Sequence, residues 1–242
     1  MAFTERFTGR AASYVSGRPS YPPEAIAALF EGLGEPANLR VADIGAGTGI
    51  SARLLGEYGA RVFAVEPNAA MRAAAAPSEQ VEWVDGTAEA TGLATGSVDL
   101  SVAMQAWHWF DHDRALAEQR RIVRPGGRIA LVYNERDDRA PFTAAYSAIV
   151  RRYATENTEE RRARALAAFA AISGAERLEF GNEQVLDRAG LGARAASTSY
   201  LPHDGTAAAE LTADIDKVFG AYADASGLVR FNLVTIVARV SS

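Results

Sequence analysis

Two short stretches of this chain hold residue types whose spacing could do chemistry. The first is VADIGAGTGI, Val41 to Ile50, in which a hydrophobic run enters Asp43 and is followed by Gly45, Gly47 and Gly49. Glycines let a chain turn sharply and let backbone N–H groups approach a ligand with no Cβ between them. A helix starting beyond such a loop offers the partial positive charge of its N-terminus to an anionic group. Glu66 ends the next apolar run, where a carboxylate can accept hydrogen bonds from a ribose diol. Together these residues point to a nucleoside. The dinucleotide pattern G-x-G-x-x-G would need its third glycine at position 50, which is Ile50, and Asp43 so close to the loop would repel a pyrophosphate but suit an ammonium. A nicotinamide-dependent oxidoreductase is therefore the disfavoured alternative.

The second stretch is AMQAWHWFDHD, Ala103 to Asp113, which concentrates two of the three tryptophans and two of the three histidines. A metal site is one reading, because His108 and His112 are spaced i, i+4. Against it, Trp109 stands where a metalloprotease helix needs a glutamate, the chain has no cysteine, and Asp111 reads as a helix cap. A packing site is the second reading, and it suits Trp109 and Phe110, an apolar pair just before a helix. A pocket wall is the third. Gln105, Trp107 and His108 leave a strand at the carboxyl edge of the sheet, where ligands of open α/β sheets bind. The face of Trp107 could stabilise a cation. His108 could take a proton from a hydroxyl, amine or thiol, or donate a hydrogen bond to a carboxylate. The expectation is thus divided: Gln105 to His108 face the pocket, Trp109 and Phe110 anchor the helix, His112 is a solvated first-turn residue, and no metal is bound.

These stretches need a scaffold. The chain has 242 residues, 48% hydrophobic and 23% charged, with a formal net charge of −5. That composition suits a single globular domain and disfavours a nucleic-acid partner, which requires clustered Lys and Arg. No apolar run reaches membrane-spanning length and the first residues lack a signal-peptide core, so a cytoplasmic location is expected, as a monomer or homodimer acting on a small molecule. Short apolar strands at 38–44, 60–66, 81–84, 98–104 and 127–133 alternate with helical stretches at 22–33, 50–58, 68–76 and 111–123, the pattern of an α/β fold with a parallel sheet and crossover helices. Asn68 and Asp111 read as N-caps, and RPGG at 124–127 as a turn. Residues 134–172 carry no strand pattern and predict two helices, about 141–154 and 157–172, inserted as a lid. The alternation resumes with a strand at 177–180, helices at 182–189 and 206–225, and a last strand at 228–240.

With these residues in order, VADIGAGTGI, VFAVEPNAAM, VDGTAEATGL, GSVDLSVAMQAWHWF and RIVRPGGRIALV resemble the successive motifs of the class I S-adenosylmethionine-dependent methyltransferases, closest to the small-molecule branch with HWF after the fourth strand. The resemblance covers residues 7–133 well and the remainder in outline. It implies one domain over 1–242, with an N-terminal arm at 1–21 and the lid at about 134–172. It implies a Rossmann-like, doubly wound, seven-stranded sheet, mostly parallel with an antiparallel last strand, and S-adenosylmethionine as methyl donor. By the same resemblance Asp43, Gly45, Ala46 and Gly47 lie near the amino-acid part of the donor, Glu66 and Pro67 by the ribose, Met71 near the adenine, and Gly86, Thr87 and Ala88 along its edge. Gln105 stands beside them. Many relatives carry an aspartate where this chain has Thr87, leaving its hydroxyl, its backbone or Asp85 for the adenine amino group.

The arm FTGRAASYVSGRPSYP, 7–22, covers the donor in similar methyltransferases, with Tyr14 and Arg18 as candidates for its carboxylate; alternatively its rings only staple the arm down. The lid and STSYLPHD, 197–204, are expected to complete the acceptor pocket through Trp107, His108, Tyr133, Arg136, Tyr200 and His203. A fold of this type kept as a non-catalytic donor-binding protein remains the alternative from another class.

Overall fold

The computed structural model describes residues 19–242. Tyr14 and Arg18 lie outside the described residues. Seven strands, β1 Arg40–Ile44, β2 Arg61–Val65, β3 Val81–Val84, β4 Val98–Met104, β5 Val123–Arg136, β6 Glu176–Leu186 and β7 Val229–Ser241, form one sheet in the order β3-β2-β1-β4-β5-β7-β6. The first five are parallel, and β7 runs antiparallel between β5 and β6. The expected fold class is what is observed. The order reverses between β1 and β4, so the carboxyl ends of these two strands open a crevice at the switch point.

Helices α1 Pro23–Phe30 and α2 Ile50–Glu57 cover one face, and α4 His112–Ile122 the other; α3 Ala69–Ala73 follows β2. The expected caps are in place: Asn68 Oδ1 accepts from Ala70 and Met71, and Asp111 Oδ1 from Arg114. Val41, Val62, Leu100 and Val102 pack under α1 and α2, while Ile44, Val65, Leu131 and Tyr133 belong to the core on the opposite face. Strands buried on both faces read as continuous apolar runs, which is why they are legible in sequence.

Helices α5 Pro141–Tyr153 and α6 Thr158–Ala170 match the two expected in the lid region. They have separate footings. Phe169 of α6 sits in the main core, its ring 5.9 Å from Trp107. Tyr146 of α5 packs edge-on to Phe231 of β7, within a third cluster that includes α7 Arg188–Ala196 and α8 Gly205–Tyr222.

One expected helix is absent. Residues 182–186 continue β6, and the helix starts at Arg188, capped by Asp187 accepting from Gly190 N at 2.7 Å. Asn182 to Leu186 pair with Leu233 to Val229 of β7, and side-chain exposure alternates along the strand. The polar run Asn182–Gln184 hides this alternation, because only the neighbouring strand makes it extended. β5 likewise extends on both sides of 127–133 and includes the RPGG segment, with a register shift against β4 at Val98 and Leu100. No helix of the described residues is long and apolar enough to cross a membrane.

Candidate active site

The loop after β1 turns on Gly45, Gly47 and Gly49, with φ of +72°, +59° and +74°. Side chains here would be strained, and at Gly45 a Cβ would also stand 2.9 Å from Ala106 Cβ and 3.0 Å from the Phe110 ring. Glu66, at the end of β2, secures the loop: Oε2 accepts from Gly47 N and Oε1 from Asn68 N, both at 2.9 Å. An ionised carboxylate has about four acceptor positions, so each oxygen keeps a lone pair for a ligand. Burial raises the Glu66 pKa, opposed by those two amides and by Arg72. Gly47, Glu66, Met71, Thr87, Ala88 and Phe110 are among the residues lining a cavity over this loop.

Beneath the loop Asp43 is 1% exposed. Its Oδ2 accepts from the Ser51 hydroxyl at 2.6 Å, while Oδ1 is buried without a hydrogen-bond partner among the described residues. Burial pushes its pKa up to about 7; the Ser51 bond lowers it and the charge of Glu66 adds to the rise. Asp43 supports the loop from below and does not line the cavity.

A second cavity adjoins the first, sharing Gly45, Gly47, Met104, Gln105 and Trp109. Its far side comes from Asn134 and Arg136 on β5, Tyr146 on α5, Thr158 and Arg162 on α6, Arg194 on α7, and the turn at 197–200. Gln105 stands between the two cavities in a left-handed conformation, φ +61°, an uncommon state for a side chain with a Cβ. Arg162 reaches it from the lid, donating to Gln105 Oε1 at 3.3 Å and to Asn134 O at 2.8 Å, with Glu135 as its ion-pair partner at 2.8 Å.

His108 is 8% exposed and lines this second cavity. Its backbone N–H donates to the Tyr133 hydroxyl at 2.9 Å, and its Nδ1 lies 3.1 Å from the same oxygen. Tyr133 is wholly buried, and burial pushes its pKa up, so it stays protonated. A buried hydroxyl hydrogen needs an acceptor. Nδ1 is at hydrogen-bond distance, and when the tyrosine hydrogen lies on that bond a neutral imidazole carries its own hydrogen on Nε2.

Residues 42–131, the segment that builds the glycine loop, Glu66 and the 103–113 stretch, match the family model for a methyltransferase domain. The matched segment, residues 42–131, is a methyltransferase domain. An uncharacterised methyltransferase of Mycobacterium tuberculosis is 44% identical over 149 residues, covering 60% of this chain and 59% of its own. Another from Schizosaccharomyces pombe is 30% identical over 141 residues, covering 57% and 56%. The chain thus spans less than two thirds of the length of these curated relatives. Over nearly its whole length it is similar in fold to the solved structure of a candidate type II methyltransferase from Anaeromyxobacter dehalogenans, with TM-score 0.65, 27% identity, and 93% and 97% of the two chains covered.

In this methyltransferase domain several expected positions need correction. Trp107 is 2% exposed and lines neither cavity; its ring packs against Phe110, Phe169 and His112. Trp109, expected as the anchor, lines both cavities under the guanidinium of Arg161 at 4.9 Å. Residues 107–109 form a 3-10 turn, which rotates about 120° per residue, so side chains two apart face different ways. His112 is half-buried, stacked on Trp107 with its ring centroid 5.7 Å away, rather than solvated. Tyr133 stands behind His108 and His203 is exposed; neither lines the cavity, whereas Arg136 and Tyr200 do. Gly86 also lines neither cavity: a Cβ there would stand 2.5 Å from Thr91 O, so it is a packing glycine. Asp85 is engaged by both Nη atoms of Arg72 at 3.0 Å and stands outside the cavity. Ala46 and Pro67 line one cavity each.

Sequence reasoning missed Glu89, Arg162, Arg194, Thr158 and Tyr146. Glu89 lines the first cavity two residues past Thr87 and accepts from Asp111 N at 2.9 Å. Its sign was available in the spacing to Thr87; the others come from separate segments that meet only in the fold.

Proposed function

We propose that this domain transfers a methyl group from S-adenosylmethionine to a small-molecule acceptor. The observation that carries the reading is the joined pair of cavities at the β1/β4 switch point, one lined by acids and the other by arginines and hydroxyls. The first cavity fits the donor. Gly45 and Gly47 bring backbone to its floor, Glu66 retains acceptor capacity for two ribose hydroxyls, Met71 and Phe110 give apolar walls for adenine, and Glu89 offers the acid that Thr87 lacks. The orphaned Oδ1 of Asp43 favours a cationic group above the loop.

When bound, S-adenosylmethionine supplies a methyl carbon activated by its sulfonium. The protein's task is then to orient the acceptor and exclude water. Gln105, held by Arg162, sits at the junction of the two cavities, and Trp109 closes their shared wall. His108 lines the acceptor cavity with Nδ1 beside the Tyr133 hydroxyl, and in the tautomer that this contact favours it orients the acceptor as a donor.

Calorimetric titration tests this. S-adenosylhomocysteine should bind with micromolar affinity and NADH should not, and methyl-labelled donor should lose its label to a small acceptor. A chain that binds NADH but no S-adenosylhomocysteine would overturn the reading.

A further inference from the structure

Resting on the methyl-donor reading above, we infer that the acceptor is a small carboxylic acid, bound as its carboxylate and methylated on a carboxylate oxygen to give a methyl ester. Two independent features of the second cavity lead there.

The first is charge. Arg136, Arg162 and Arg194 line this cavity, and none of the described residues lining it is Asp or Glu. Arg136 and Arg162 are ion-paired to Glu159 and Glu135, but both carboxylates stand outside the lining. They hold the guanidiniums in position from behind. Polar atoms are left over: Arg162 Nε and Thr158 Oγ1 are both buried with no hydrogen-bond partner among the described residues, and Thr158 is 3% exposed. Buried polar groups are seldom left unmet, and a carboxylate, which only accepts, satisfies donors of this kind.

The second is the location of protons. A phenol, amine or thiol acceptor must give up a proton during or after methyl transfer, and so needs a base. The described lining has no carboxylate to act as one. His108 has its Nδ1 3.1 Å from the Tyr133 hydroxyl; when that hydroxyl donates to it, the neutral ring carries its hydrogen on Nε2 and has no ring nitrogen left to take a proton from the acceptor. A carboxylic acid arrives already ionised at neutral pH. Its oxygen forms the new bond to the methyl carbon of the sulfonium donor. The carbon–sulfur bond breaks with its electron pair passing to sulfur, and no proton moves. An anion and a cation give a neutral ester and a neutral thioether, so a cavity that sheds water favours the step.

The test titrates the chain with S-adenosylhomocysteine, then titrates the complex with succinate, glutarate, citrate and benzoate, and with catechol, ethanolamine and butanethiol. The same compounds are incubated with methyl-labelled S-adenosylmethionine. The expected result is binding of at least one acid, with label that mild base releases as methanol. Arg194→Gln should weaken acid binding about tenfold, the loss of one charge-assisted bond, with S-adenosylhomocysteine affinity unchanged. His108→Gln, which keeps a donor but cannot take up a proton, should stay within about fivefold of wild type, whereas His108→Ala should lose about a hundredfold. Label found only on catechol, ethanolamine or butanethiol, a His108→Gln variant as inactive as His108→Ala, or a complex that binds none of the acids would each overturn the carboxylate proposal and leave the donor reading standing. Failure to bind S-adenosylhomocysteine would overturn both.

Discussion

The proposed donor half of the cleft comes from residues 45–110, on loops that follow consecutive parallel strands, and its charged lining residues are Glu66 and Glu89. The proposed acceptor half draws on β5, α5, α6, α7 and the 197–200 turn, and its charged lining residues are Arg136, Arg162 and Arg194. The difference is one of assembly as well as charge. The donor half is held by short-range bonds, such as Glu66 to Gly47 and Asn68, which the sheet register brings together automatically. The acceptor half relies on contacts between segments far apart in the chain, such as Arg162 to Gln105 and Asn134. A donor site built locally can stay constant while the acceptor site changes with the lid.

Five substitutions would break or sharpen this contrast. The largest effect is expected from Trp107→Ala, which empties a site shared by the sheet, the 3-10 turn and α6; thermal or denaturant unfolding should report a loss of about 3–5 kcal/mol. Trp109→Ala, two residues away, should leave the melting temperature nearly unchanged and weaken both ligands. Equal destabilisation by the two would refute the division between core and cleft.

Next is Glu66→Ala, which removes the acceptor of two loop amides and, in the proposed donor site, of the ribose. The dissociation constant for S-adenosylhomocysteine should rise about a hundredfold by calorimetry, on the scale of two charge-assisted bonds. Acid binding in the other half, followed separately, should change little.

Tyr133→Phe frees the His108 tautomer. Turnover should fall about tenfold with donor affinity intact, and stability should drop by about 1–3 kcal/mol because the His108 N–H loses its buried partner. Unaltered turnover would show that the tautomer does not matter.

The last prediction concerns pH, where the effect within any one pH unit is the smallest. Asp43 keeps its proton to about pH 7 in the folded chain, against the ordinary carboxyl value of 3.8. Between about pH 4 and 7 the folded chain therefore binds more protons than the unfolded one, so this residue makes stability fall as pH rises, by at most about 1.4 kcal/mol per pH unit. The difference in stability between wild type and Asp43→Asn should carry this slope and level off above pH 7. A flat difference from pH 5 to 8 would remove Asp43 as the source. A cationic donor should draw the proton off, so wild-type affinity for S-adenosylmethionine should increase with pH up to about 7.

Where neighbours in sequence are neighbours in space, the sequence was informative. Five parallel strands, the caps at Asn68 and Asp111, the glycine loop and Glu66 are all legible, because apolar runs, cap chemistry and left-handed glycines are imposed by local physics. The polar continuation of β6 from Asn182 to Gln184 was not legible, since its extended form depends on β7 lying beside it. The Trp107–Trp109 exchange was missed for a related reason. Continuing strand alternation cannot reveal that the chain enters a 3-10 turn, which sends Trp107 to Phe169 and Trp109 to the cleft.

By itself the sequence determined that this chain would build a doubly wound sheet with a glycine loop and an acid at its switch point, since those features need only a strand, a turn and the next strand. The tertiary structure alone decided what faces that loop. Arginines from three distant segments, a histidine whose tautomer depends on a tyrosine 25 positions away, and a tryptophan turned outward rather than inward converge there. No short-range preference encodes that convergence, because it follows from how the lid helices and β7 pack onto the sheet.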